Sequence, residues 1–137
     1  MPRHRILLAE DRPQDVHLTQ RALKKTGYLV DLEVATNGRE ALDMLEAAGA
    51  VLPDLMLLDW MMPLMDGLEV LQAIRKNPLL RRIPVIVLTT SRSEKDVIAA
   101  YENGCNAYLT KPVNPLEFQK TIEALGLFWL ERAVLPV

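Results

Sequence analysis

The sequence lacks the features of a secreted or membrane-spanning protein. It has one cysteine, Cys105, so no disulfide can form within the chain. The basic start is followed by only four apolar residues, 6–9, which are too few for a secretory signal. The most apolar stretch, residues 55–65, is interrupted by Asp59 and Pro63 and falls short of the roughly 20 apolar residues of a membrane span. We therefore expect a cytoplasmic protein with no membrane partner.

Neither sign of charge dominates the composition. Lysine and arginine number 16, and aspartate and glutamate number 18, for a net charge of −2. Binding to DNA or RNA derives much of its affinity from cations that replace counterions along the phosphates, so we expect no nucleic-acid partner. Half of the 137 residues are hydrophobic and a quarter are charged. This composition is typical of one folded domain whose core needs no disulfide or metal.

Short apolar runs alternate with longer segments of helical period along the whole chain. The apolar runs cover residues 6–9, 30–34, 55–58, 84–88 and 107–110. Helix signals lie between and after them, with starts near residues 13, 38, 67, 94 and 115. This alternation predicts an α/β fold in which a parallel sheet is covered by helices on both faces. We expect the last helix to continue toward residues 128–130.

Polar side chains follow the predicted strands at the points where the strands end. These residues are Glu10, Asp11, Asp59, Thr89 and Lys111. Ligands of an open parallel sheet bind outside the carboxyl ends of its strands. Three carboxylates that are brought together repel one another unless a cation or a proton lies among them. Since Mg²⁺ prefers oxygen ligands, the sequence predicts a magnesium site at this edge.

The same residues are suited to phosphoryl transfer. A carboxylate such as Asp59 can accept a phosphoryl group and form an aspartyl phosphate. The Lys111 ammonium and a metal ion can share the charge of that group, and the Thr89 hydroxyl can donate a hydrogen bond to it. The protein then contributes positioning and charge neutralisation.

These residues, in this order, resemble the receiver domain of two-component response regulators. The resemblance covers almost the whole chain and is specific because its four motifs follow four strands. The motifs are Ala9-Glu10-Asp11, Asp59-Trp60-Met61-Met62-Pro63 with Asp66-Gly67, Leu88-Thr89-Thr90-Ser91, and Tyr108-Leu109-Thr110-Lys111-Pro112. It implies one receiver domain over residues 1–137, with a doubly wound, flavodoxin-like sheet of five parallel strands in the order 2-1-3-4-5.

The resemblance also implies a signalling protein that catalyses only its own phosphorylation and dephosphorylation. A sensor histidine kinase would transfer a phosphoryl group to Asp59, and Lys111 and Thr89 would contact it. The implied Mg²⁺ ligands are Asp11, Asp59, the carbonyl of Met61 and, through water, Glu10. Lys111 would precede a cis bond to Pro112. Thr89 and Tyr108 would shift on phosphorylation and remodel the face of helix four, strand five and helix five.

The end of the chain resembles single-domain regulators that pair with bacterial phytochrome kinases. The resemblance lies in Phe128-Trp129-Leu130 and in the following Ala133-Val134-Leu135-Pro136. It implies an extended helix or tail over about residues 115–137 and a homodimer through that tail and the remodelled face. Such an apolar group is larger than ordinary surface requires. It either packs against a second copy or folds back over the core.

Two positions depart from the pattern of many receiver domains. Position 61 is Met where many relatives carry Asn, and position 91 is Ser where many carry an acidic or amide residue. Both positions flank the water that hydrolyses the acyl phosphate in the family. We expect slow self-dephosphorylation, because neither side chain is well suited to orient that water.

Three other functions share parts of this pattern. A magnesium phosphatase of the haloacid dehalogenase type would need a second aspartate at position 61, which is Met. A flavin-binding carrier would need a phosphate-binding loop after the first strand, where Glu10 and Asp11 would repel phosphate. A pseudo-receiver that only binds other proteins would keep the fold without phosphorylation.

Overall fold

The computed structural model describes residues 3–136, which form a five-stranded sheet between two layers of helices. The strands are β1 (His4–Ala9), β2 (Val30–Ala35), β3 (Leu55–Leu58), β4 (Val85–Thr89) and β5 (Ala107–Thr110). The helices are α1 (Pro13–Lys25), α2 (Gly38–Glu46), α3 (Gly67–Lys76), α4 (Glu94–Glu102) and α5 (Pro115–Gly126). None of these helices combines the length and the apolar character that a membrane crossing needs.

The strands pair in the order β2-β1-β3-β4-β5, and every pairing is parallel. This order confirms the predicted fold. The chain runs outward from β1 to β2 and then returns to the other side of β1, so the winding reverses between β1 and β3. Such a reversal leaves a crevice outside the carboxyl ends of the two strands.

The central strands are apolar throughout because both of their faces are covered. All residues of β3 and β4 are buried, which is typical of parallel strands between two helix layers. Successive side chains point to opposite faces, and the core is accordingly split into two clusters. One contains Leu7, Met56 and Leu58 with residues of α2 and α3; the other contains Ile6, Leu8, Leu57 and residues of α1 and α5.

Side-chain caps fix the starts of several helices. The Asp66 side chain accepts a hydrogen bond from the Glu69 backbone, and the Glu69 side chain accepts one from the Asp66 backbone. This capping box satisfies two backbone donors that a helix start otherwise leaves unpaired. Asn37 and Asn114 cap α2 and α5 in a similar way.

Two boundaries differ from the sequence prediction by more than one residue. Strand β1 begins at His4 rather than at residue 6, because backbone pairing with β2 extends beyond the apolar run. Helix α5 ends at Gly126, and the chain continues as a π-helical segment, Leu127–Arg132. The end of the predicted tail, residue 137, and the first two residues lie outside the described residues.

Gly38 permits close packing between α2 and the β3–α3 loop. A Cβ atom at this position would lie 2.0 Å from the carbonyl oxygen of Met65 and 2.8 Å from Cγ2 of Val70. The first of these atoms belongs to the backbone and cannot rotate away. We predict that Gly38→Ala lowers the free energy of unfolding by about 2 kcal/mol, measured by urea denaturation.

Gly49→Ala is the matched control for this prediction. A Cβ at Gly49 meets no atom within 4 Å, although the backbone has a φ of +74°. The Gly49→Ala variant should lose only about 1 kcal/mol of its free energy of unfolding, because alanine is less stable than glycine in the left-handed region. Equal losses in the two variants would contradict the steric explanation.

Candidate functional site

Five predicted site residues lie together at the carboxyl edge of the sheet. Each follows or ends a strand that the topology brings to this edge. Glu10 and Asp11 follow β1, Asp59 follows β3, Thr89 ends β4 and Lys111 follows β5. The parallel pairing of β1 with β3 and of β4 with β5 sets these strand ends side by side.

Three carboxylates form a group with the donor set of a divalent cation. One oxygen each from Glu10, Asp11 and Asp59 lies within 4.8 Å of the others. Glu10 and Asp59 are buried, whereas Asp11 is exposed, so solvent reaches the group from one side. Hard divalent cations bind carboxylate oxygens together with water. The residues therefore fit such an ion.

The ammonium of Lys111 is paired with three carboxylates. Nζ donates to Glu10 Oε1, to Asp15 Oδ2 at 2.9 Å and to Asp59 Oδ2 at 3.0 Å. The Lys111 side chain is only 3% exposed. An ammonium group has three hydrogens, so these carboxylates satisfy its full donor capacity.

Burial and charge shift the pKa values of the Glu10–Lys111 pair. Burial raises the pKa of Glu10 to about 8; the hydrogen bond from Lys111 opposes this rise, and the charge of Asp59 adds to it. Burial on its own would lower the pKa of Lys111. The hydrogen bond to Glu10 and the charge of Asp59 outweigh that effect, so the pKa of Lys111 lies above its ordinary value. The carboxylate partners therefore favour the charged form of Lys111.

The Asp59 carboxylate is held through both oxygens. Oδ2 accepts from Lys111, and Oδ1 accepts from the Met61 backbone N–H at 3.2 Å. The Asp59 backbone N–H donates to the carbonyl of Ala9 at 3.0 Å and so ties the end of β3 to the end of β1. This side chain is oriented before any ligand arrives.

Gly67 allows the loop after β3 to fold back on the site. Its N–H donates to the Trp60 carbonyl at 3.0 Å. A Cβ at Gly67 would lie 2.7 Å from the backbone carbonyl oxygen of Asp59 and 2.7 Å from the Cα of Trp60. Only glycine therefore fits this close approach of the loop. Trp60 itself is 6% exposed, next to the carboxylate.

A hydrogen-bonded network leads from the site to α4 and β5. Thr89 is fully buried at the end of β4. Two residues on, the Ser91 hydroxyl donates to Asp96 in α4, and the Ser91 carbonyl accepts from the Tyr108 hydroxyl at 2.9 Å. The Tyr108 backbone N–H donates to the Tyr101 hydroxyl at 3.2 Å. Tyr108, half-buried, therefore points inward toward the loop after Thr89.

The predicted cis bond between Lys111 and Pro112 is wrong. Within residues 3–136 no peptide bond is cis. The trans form of an X–Pro bond is intrinsically favoured by about 0.5–1 kcal/mol, and with it Lys111 already reaches all three carboxylates. No contact at this site requires the less stable isomer.

The apolar end of the chain divides between the core and the surface. Leu130 is 7% exposed and belongs to the core cluster that contains α1 and α5. This corrects its expected place in a contact with a second copy, because its side chain is already covered by its own chain. Trp129 is partly buried against the same cluster. Phe128 is 56% exposed and meets the Trp129 ring edge to face, with centroids 5.3 Å apart.

Asp15 is the site residue that the sequence analysis missed. It lies in the first turn of α1, and its side chain is 17% exposed. An acidic residue in a first helical turn is common because it interacts favourably with the helix dipole, so its type alone signals nothing further. Its position four residues after Asp11 and five after Glu10 is the signal that could have indicated it.

Comparison with protein families matches most of the chain. The model of the response regulator receiver domain matches residues 6–123. Response regulator Rcp1 of Synechocystis sp. is 44% identical over an alignment of 135 residues, and the match covers 96% of this chain and 92% of that protein. The probable methanogenesis regulatory protein FilR2 of Methanothrix harundinacea is 41% identical over an alignment of 128 residues, and the match covers 91% of this chain and 83% of that protein.

Comparison with solved structures also matches response regulators. The phosphorylated cyanobacterial phytochrome response regulator RcpA has a TM-score of 0.95 and 38% identity, covering 99% of this chain and 100% of that one. The Mn²⁺-bound form of Rcp1 has a TM-score of 0.93 and 43% identity, covering 98% and 99%. With the fold, the acidic group and the buried lysine, these matches show that the chain belongs to the response regulator receiver domain family.

Proposed function

We propose that this response regulator accepts a phosphoryl group on Asp59 from a sensor histidine kinase, with Mg²⁺ as the cofactor. The observation that carries the proposal is the position of the Asp59 carboxylate. One of its oxygens is bound to the buried Lys111 ammonium, and the carboxylate belongs to an acidic group suited to a divalent ion. A phosphoryl group on Asp59 would lie between two positive charges, the Lys111 ammonium and the divalent ion.

The protein residues have separate roles in this transfer. A carboxylate oxygen of Asp59 attacks the phosphorus, and the bond from phosphorus to the kinase histidine breaks. Lys111 and the Thr89 hydroxyl stabilise the oxygens of the transferred group. Mg²⁺, held by Asp11, Asp59, the Met61 carbonyl and Glu10 through water, would neutralise part of the charge that develops.

The proposed kinase is a bacterial phytochrome. RcpA is named as a phytochrome response regulator, and a bacteriophytochrome response regulator, AtBRR, is 42% identical and covers all of this chain. We place the exchange in the cytoplasm. We propose that residues 1–137 are one receiver domain whose output is a change in protein binding.

The output would arise on the face of α4, β5 and α5. The Ser91 loop follows Thr89 directly and contacts both α4 and Tyr108. A Thr89 hydroxyl that moves toward a phosphoryl group would pull on this loop. The phosphoryl group then favours one of two arrangements because it makes contacts in only that one.

The exposed Phe128 supports a homodimer through the end of the chain. Leu127 and Phe128 are each about half exposed, beside the core residue Leu130. These residues directly follow α5, which is part of the proposed output face. We propose that a second copy covers this surface by two-fold symmetry.

Asp59→Asn is predicted to abolish phosphorylation. An amide cannot form the acyl phosphate, and Lys111 keeps its other two partners, so the fold should persist. Intact-protein mass spectrometry with Mg²⁺ and a small phosphodonor measures the gain of one phosphoryl group. Asp43→Asn, a change in an exposed ion pair of α2, should be phosphorylated like the parent protein. Phosphorylation of the Asp59 variant would refute the assignment, and an unreactive parent would favour a protein-binding module.

Met61→Asn is predicted to accelerate the loss of the phosphoryl group about tenfold, because a side chain that orients the hydrolytic water is restored. Met61 is 62% exposed, and the Ser91 hydroxyl is committed to Asp96, so neither orients water in the parent protein. The decay of the phosphorylated protein is followed by mass spectrometry after the donor is removed.

Leu64→Asn provides the control for the Met61 variant. Leu64 lies on the same loop, is 82% exposed and has a φ of 66°, a conformation that asparagine tolerates. Its decay rate should stay close to that of the parent. A parent that loses phosphate as fast as Met61→Asn would disprove the explanation.

Phe128→Glu is predicted to convert the dimer to a monomer, because a charge would be placed within an apolar contact. Light scattering over a range of concentrations measures the change in mass. Val51→Glu makes the same change at a 64% exposed position in the α2–β3 loop and should leave the mass unaltered. If Phe128→Glu retains the mass of the parent, the terminal segment does not form the interface.

A further inference from the structure

Asp15 contacts the proposed phosphorylation site through Lys111. Its Oδ2 atom lies 2.9 Å from the Lys111 ammonium. The residue comes from the first turn of α1, whereas the other two partners of the ammonium follow β1 and β3. Among the described residues, the carboxylate group suited to a metal ion consists of Glu10, Asp11 and Asp59. Asp15 is therefore the partner of Lys111 that lies outside this group.

The buried ammonium cannot be left without a counter-charge. The Lys111 side chain is 3% exposed, so water cannot replace a lost carboxylate partner, and an unpaired charge in such a place is strongly unfavourable. Two of its partners, Glu10 and Asp59, also belong to the metal group. A divalent cation that binds there competes for the same oxygens and repels the ammonium.

We propose that Asp15 is a positioning residue that retains the Lys111 ammonium while Glu10 and Asp59 interact with the divalent ion and the phosphoryl group. Asp15 thereby removes a competition between two cations for one pair of carboxylates. The consequence for phosphoryl transfer rests on the proposed function, whereas the consequence for metal binding does not.

A purely structural role of Asp15 would act without Lys111. An acidic side chain in the first turn stabilises a helix through its dipole, and the Asp15 carbonyl accepts a hydrogen bond from Thr19. A through-space attraction between Asp15 and a metal ion would also need no lysine. Both alternatives predict that the effect of Asp15 is independent of residue 111.

A double-mutant cycle on Mg²⁺ affinity separates these roles. The fluorescence of Trp60, which adjoins Asp59, reports binding in a Trp129→Phe background. Asp15→Asn should raise the Kd for Mg²⁺ about tenfold, in the range found when a residue that orients metal ligands is removed. In a Lys111→Met background the same substitution should change the Kd less than twofold, because no ammonium competes. An equal effect in both backgrounds, or no effect in either, would overturn the proposal.

Two further variants distinguish the proposed effect on the Kd from a loss of folding. Asp15→Glu retains the charge and should restore most of the affinity that Asp15→Asn loses. Glu117→Gln removes an exposed acidic residue from the first turn of α5 and should leave the Kd unchanged. A glutamate variant as weak as the asparagine variant would count against retention of the ammonium by charge.

Phosphorylation kinetics give a second readout that depends on the proposed function. At saturating Mg²⁺ and phosphodonor, Asp15→Asn should lower the rate of Asp59 phosphorylation about tenfold, because Lys111 is no longer fixed toward the phosphoryl group. If the rate of Asp59 phosphorylation is unchanged at saturating Mg²⁺ and phosphodonor, Asp15 acts only on metal binding, and its proposed role in phosphoryl transfer is wrong. A parent protein that takes up no phosphoryl group refutes the proposed function instead, and the metal titration still tests the contact with Lys111.

Discussion

The buried ammonium of Lys111 is the constraint on which the site depends. Without a positive charge, the carboxylates of Glu10, Asp15 and Asp59 would repel one another in a region that water barely enters. With it, part of this repulsion is offset, and the group still carries an excess of negative charge. That excess attracts a divalent ion, so the lysine stabilises the group and the carboxylates still favour metal binding.

The topology of the sheet creates this arrangement from residues far apart in the chain. Lys111 and Glu10 are separated by 101 positions, yet each directly follows a strand of one parallel sheet. Because the central strands β3 and β4 are short and buried, their apolar side chains fix the register, and a shift by one residue would reverse every face. The polar residues after the strands are thereby held at one edge by the packing of the core.

The sequence predicted those parts of the structure that depend on local pattern. The alternation of strands and helices and the placement of Asp59 beside Lys111 follow from periodicity and from the positions of the strand ends, and the structure contains both. The strand order was implied by the resemblance to receiver domains, and the structure has that order. The contact of Asp15 was not predictable in this way, because it depends on how α1 packs against the sheet. The burial of Leu130 likewise depends on tertiary contacts that no local pattern records.

The link between the site and the surface is short because one loop serves both. Ser91 lies two residues beyond Thr89, and its two polar groups contact different elements: the hydroxyl binds Asp96 in α4, and the carbonyl accepts from Tyr108 in β5. A displacement of this loop by a bond length is enough to break hydrogen bonds of this kind, since they weaken steeply with distance and angle. A signal of the proposed kind would therefore need no long chain of contacts. It would need only that the Thr89 hydroxyl, which accepts from the Ser91 backbone N–H at 3.5 Å, gains a phosphoryl partner when Asp59 is phosphorylated.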